Sequence, residues 1–111
     1  METLSIQQPT DTREFDKTQD TIKLLGRKWT IPIIRELHNS SKGKLGFMEL
    51  RNRLDITPKI LSERLKQLKE YEMISKKIHE GRYTTVDYRL TPVGGRVWNT
   101  VNDFRKIGRT V

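Results

Sequence analysis

Apolar positions recur along the chain at helical spacing, then in short strand-like runs, then at helical spacing again. Phe15, Thr18, Ile22 and Leu25 mark one face of a first helix. Asp11 and Glu14 stand in capping-box spacing, so that helix is expected to begin just after Asp11. Gly26 stands where a left-handed terminator is wanted. Residues 1–10 show no apolar period and read as a flexible tail, leaving 11–111 as a single domain. A second helix, from about Thr30 to His38, buries Ile33, Ile34 and Leu37. It must start near Thr30, because Pro32 is tolerated only in a first turn. Residues 39–46 (NSSKGKLG) are a loop by composition.

Phe47, Leu50 and Leu54 give a short helix, which Asp55 and Ile56 interrupt. Thr57 and Pro58 then restart it with a hydroxyl at the N-cap and proline at the first helical position. Ile60, Leu61, Leu65 and Leu68 share one face of this longer helix, which ends near Tyr71. Residues 74–79 and 85–90 are β-branched or aromatic runs joined by a glycine-containing loop, the pattern of a hairpin. Thr91 and Pro92 open a last helix lined by Val93, Val97, Trp98, Val101 and Phe104. The predicted fold is mainly α with a small β-hairpin, in the order of a winged helix-turn-helix.

Composition narrows the function. The chain of 111 residues has a formal charge of +8, and residues 22–111 alone carry +11. An acidic leader on a basic body points to a polyanionic partner, most commonly nucleic acid. There is no cysteine, and neither His38 nor His79 sits in metal-ligand spacing, so no metal site and no cofactor is expected. No apolar run is long enough to cross a bilayer and no secretory leader is visible, so a cytoplasmic protein without a membrane partner is expected. No catalytic grouping is apparent, and the chain is not read as an enzyme.

The helix opening at Thr57 is the candidate reader, since an α-helix of about 10–12 Å fits the major groove of B-DNA. Thr57, Lys59, Ser62, Glu63 and Lys66 project from it as candidate DNA-binding residues, with Arg82 at the hairpin tip. Glu63 either accepts from a cytosine amine or is a solvated carboxylate. Arg64 either packs its stem and pairs with an acid or reaches a phosphate. Lys76 and Lys77 point to opposite faces of their strand, so at most one is aimed at DNA. Trp29, Trp98 and Tyr88 read as packing residues rather than a base-stacking platform. Gly94 and Gly95, in the first turn of the last helix, suggest a close backbone approach.

Taken together, residues 24–30 (LLGRKWT) with 34–37 (IREL), 47–50 (FMEL) with 57–65 (TPKILSERL), and 86–94 (VDYRLTPVG) resemble the HxlR-type family of winged-helix transcriptional regulators. The resemblance implies a bacterial or archaeal regulator that is a homodimer, built mainly through its N- and C-terminal helices. Phe15, Ile22, Trp98, Val101 and Phe104 are then the interface candidates. Three departures stand out: no cysteine for the thiol sensing of some members, a longer loop at 39–46 with a shorter turn at 55–56, and Pro32 at an ordinarily apolar helical position. The expected function is a sequence-specific, homodimeric, double-stranded-DNA-binding regulator of a pseudo-palindromic operator, with any small-molecule effector unidentified. The alternative is an RNA- or ribosome-associated winged-helix protein.

Overall fold

A computed structural model describes the backbone of residues 3–110 and the side chains of residues 12–108. The elements run α1 (Thr3–Gly26), α2 (Thr30–Asn39), β1 (Leu45–Gly46), α3 (Phe47–Leu54), α4 (Pro58–Glu70), β2 (Ile74–His79), β3 (Thr85–Leu90) and α5 (Pro92–Thr110). The architecture is mainly helical with a small three-stranded antiparallel sheet in the order β1-β3-β2.

Most of these boundaries follow from local chemistry. Thr57 caps α4, its hydroxyl accepting from the Ile60 N–H at 3.3 Å, with Pro58 in the first turn. Thr91 caps α5 in the same way, its hydroxyl accepting from the Gly94 N–H at 3.0 Å. The α3 terminus uses Glu49, whose carboxylate accepts from the Gly46 N–H at 3.0 Å. Pro32 falls in the first turn of α2, as its missing N–H requires.

Four expectations need correction. The backbone is already helical at Thr3, so the start expected after Asp11 falls inside α1; the Asp11 side chain lies outside the described residues. Once nucleated, a helix gains one hydrogen bond per added residue, so it can run on through a polar segment. The left-handed residue after α1 is Trp29 (φ 81°), not Gly26, because the chain continues through a turn before reversing into α2. Residues 39–46 are not all loop: Leu45 and Gly46 form β1, pairing with Tyr88 and Asp87. Of the two adjacent glycines in the first turn of α5, only Gly94 lies against a neighbouring backbone.

The core forms where α2, α3, α4 and the sheet converge, around Ile33, Ile34, Leu50, Leu61, Leu68 and Met73. Ile56 plugs the turn between α3 and α4. A Schellman motif closes α4: Glu72 N–H bonds to Lys69 O at 2.9 Å and Met73 N–H to Leu68 O at 2.9 Å, with Glu72 left-handed at φ 60°. The accompanying apolar contact is supplied by Leu68 and Met73, both buried. This turn aims β2 back along α4.

The hairpin is tied together midway along β3 by Asp87. His79 Nε2 donates to its carboxylate at 2.6 Å, while Lys44 and Arg89 approach to 3.7 and 4.0 Å. The hydrogen bond from His79 holds the Asp87 carboxyl below the usual carboxylate value, aided by the charges of His79, Lys44 and Arg89 and opposed by burial. A lowered folded-state pKa stabilises the fold above the unfolded value of about 4, and that contribution is lost as pH falls through the folded value. Asp87→Asn should therefore cost on the order of 2 kcal/mol at neutral pH, with the deficit shrinking below about pH 4. Melting curves of both proteins across pH 2.5–7 check this, and a constant gap in melting temperature would refute it.

Candidate nucleic-acid interface

The helix-turn-helix consists of α3, the turn at residues 55–57, and α4. Asp55 makes that turn in the left-handed region at φ 54°, which a short polar side chain tolerates better than most. Along α4, Leu61, Leu65 and Leu68 are buried, whereas Lys59, Ser62, Glu63, Lys66, Lys69 and Glu70 are exposed. Thr57 is exposed at its N-terminus. The candidate residues on α4 thus share an unpacked face, and Arg82 lies apart from them, exposed in the loop between β2 and β3.

Arg64 has the structural one of its two roles. Its Nε donates to Lys28 O at 2.9 Å and its guanidinium to Gln67 Oε1 at 3.3 Å, with the side chain largely buried. It thereby fastens α4 to the turn between α1 and α2. Glu63 is half-exposed and 4.0 Å from that guanidinium, so its charge is partly offset within the protein.

Two clefts adjoin α4. One, of about 360 Å³, lies at its N-terminal end between Arg51, Asn52, Asp55, Ile56, Thr57 and Pro58. The other, of about 280 Å³, lies between α4 and the sheet and is lined by Ser62, Leu65, Lys66, Lys69, Lys76 and Tyr88. Lys76 pairs across the sheet with Tyr88, on the face toward α4, while Lys77 pairs with Asp87 on the other face. Burial pushes the Tyr88 pKa up, so its hydroxyl remains a donor.

Sequence reasoning did not single out Arg51 or Lys69. The spacing of Ser62, Lys66 and Lys69 along one flank of α4 was a signal for the latter, but which flank meets the wing depends on the chain reversal at Glu72.

The interface candidates fall into two groups. Trp98, Val101 and Phe104 line an apolar cleft of about 430 Å³ with Ile31, Pro32, Arg35, Asn102 and Arg105, between α2 and α5. Trp98 is partly buried and stacks on His38, ring centroids 5.2 Å apart. Phe15 and Ile22 on α1 do not join this cleft; they are 60% and 61% exposed, and Phe104 is 66% exposed. Among the described residues of α1, Leu24 enters the core and Leu25 packs against it, while Phe15 and Ile22 are exposed.

No helix among the described residues is long and apolar enough to cross a membrane, and no metal-ligand cluster occurs among them. The sequence profile of the HxlR-like helix-turn-helix family matches residues 24–111. Among solved structures, the reduced form of the transcriptional regulator YodB from B. subtilis is 27% identical, with a TM-score of 0.72 over 81% of this chain and 86% of that one. A HxlR-family transcription factor from Thermoplasma volcanium is 31% identical, with a TM-score of 0.63 over 80% of this chain and 78% of its own. A MarR-family regulator from Porphyromonas gingivalis is 28% identical, with a TM-score of 0.70 over 83% and 88%. Comparison with curated proteins gives no significant match.

Proposed function

Because the chain belongs to the HxlR-like helix-turn-helix family, we propose that it is a cytoplasmic, homodimeric regulator of transcription that binds a pseudo-palindromic operator in double-stranded DNA. The observation that carries this reading is the unpacked cationic face of α4, standing between the helix-turn-helix turn and a basic hairpin. Thr57, Lys59, Ser62, Glu63 and Lys66 enter the major groove, and Arg82 brings the hairpin tip to the adjacent backbone or minor groove. The exposed Phe15, Ile22 and Phe104 support a second copy on the terminal helices. Two-fold symmetry then sets the reading helices about 34–36 Å apart, one turn of DNA.

Selection from random duplex DNA at two salt concentrations tests the reading. An enriched inverted repeat with half-sites one turn apart is the expected result. Binding that prefers structured RNA, or ignores duplex sequence, would sink it. Lys59→Ala and Lys66→Ala should each weaken operator binding by about 1–3 kcal/mol, roughly 5- to 150-fold. Titration of each variant against the selected operator is the check; wild-type affinity in both would remove α4 as the reader.

A further inference from the structure

The cleft between α4 and the sheet is lined by three lysines, Lys66, Lys69 and Lys76, together with Tyr88. Among the described residues, no carboxylate lies within ion-pair distance of any of the three. Several other cations of the fold do meet carboxylates: Arg53 and Arg35 at Glu36, Lys44 and Arg89 at Asp87, and Lys106 at Asp103. Like charges gathered around one concavity repel unless an anion is placed between them. Lysine offers three donors and tyrosine one, and none of these groups is a base-reading fork. Such a set suits the non-bridging oxygens of a phosphodiester.

We propose that this cleft grips the phosphate backbone of one DNA strand, with Lys69, Lys76 and the Tyr88 hydroxyl as contacts that the reading helix alone would not supply. The proposal rests on the duplex-binding function above and assigns it a second anchoring point. The cleft shares Ser62 and Lys66 with the reading face, so a helix seated in the groove brings a groove wall to it. A second cleft, with Arg51 and Thr57, lies at the N-terminal end of α4. From Thr57 to Lys69 the helix rises roughly 18 Å, more than the roughly 12 Å groove width, so both walls are within its reach. Lys77, on the opposite face of β2, takes no part.

Lys69→Met, Lys76→Met, Tyr88→Phe and Lys77→Met are compared with the unaltered protein, on the selected operator and on a scrambled duplex across a salt series. Phosphate contacts carry no sequence information, so Lys69→Met and Lys76→Met should each weaken both duplexes alike, by about three- to tenfold. Each should also flatten the log-log salt dependence by about 0.9, the value for one neutralised phosphate. Tyr88→Phe should weaken both duplexes by about two- to fivefold without changing the slope, and Lys77→Met should change neither. Unchanged affinity and slope in both lysine variants, while the unaltered protein binds its operator, would overturn the clamp and leave the wider function standing. Weakening on the operator alone would overturn it too, since that marks base reading. Failure of the unaltered protein to bind any duplex would overturn the clamp and the function together.

Discussion

Gly94→Ala should unfold or severely destabilise the protein, while Gly95→Ala, one residue on, should leave it intact. A methyl group at Gly94 would be driven into the Met73 carbonyl oxygen, with the Met73 carbonyl carbon and Leu90 Cδ2 each at 3.0 Å. That oxygen cannot step aside. It accepts from the Thr91 N–H at 3.0 Å, and Thr91 in turn donates its hydroxyl to Glu72 O at 2.6 Å. The first turn of α5 is thus bolted to the reversal that closes α4, and both sides of the contact are hydrogen-bonded backbone. Overpacking of this kind costs typically about 1–3 kcal/mol, and more where the neighbour is backbone rather than a movable side chain. With each kcal/mol worth about 4–8 °C in a domain near this size, a fall in melting temperature of more than 10 °C is expected. Nothing lies within 4 Å of a methyl at Gly95, and alanine is favoured over glycine in a helix by up to about 1 kcal/mol. Thermal melts followed by circular dichroism decide the matter. A Gly94→Ala protein melting within a few degrees of the unaltered one would mean that α5 is not docked this closely.

That pair of glycines also shows where sequence reasoning stops. Gly94 and Gly95 are equivalent as letters, and only the Met73 carbonyl across the fold tells them apart. Features specified by their neighbours in the chain were legible: the caps at Thr57 and Thr91, the prolines that follow them, and both long strands, which begin and end at the residues their patterns indicate. Features specified from a distance were not. Two residues cannot display an alternating pattern, so β1 exists because β3 offers a free edge to Leu45 and Gly46. Trp29 and Glu72 accept left-handed backbone that glycine would take more cheaply, and neither residue type signals it. Trp29 is held there by packing on the core, with the Lys28 ammonium 5.5 Å over its ring. The same division runs through the candidate site. The α4 face could be placed on a wheel from the spacing of its leucines, whereas the meeting of Lys69 with Lys76 depends on the turn at Glu72 and on strand register.

Phe104→Glu should convert the proposed dimer to a monomer without unfolding the chain. Phe104 is 66% exposed, so in a single copy the change removes little packing and introduces a charge that water can reach. A large effect can arise only through a partner. Buried between two copies, an unpaired carboxylate costs several kcal/mol, enough to dissociate a modest apolar interface. Operator affinity should then fall by about 10²–10⁴, because the second half-site is no longer presented at high local concentration. Binding to an isolated half-site should be nearly unaffected. This separates the interface from the reading helix, since Lys66→Ala should weaken half-site binding and leave the mass unchanged. Ile22→Glu on α1, 61% exposed, should act in the same direction if both terminal helices contribute. Light scattering supplies the mass, expected to fall from two copies to one chain of 13.1 kDa, and operator titration supplies the affinity. A Phe104→Glu protein that remained dimeric and bound the full operator normally would move the interface off α5.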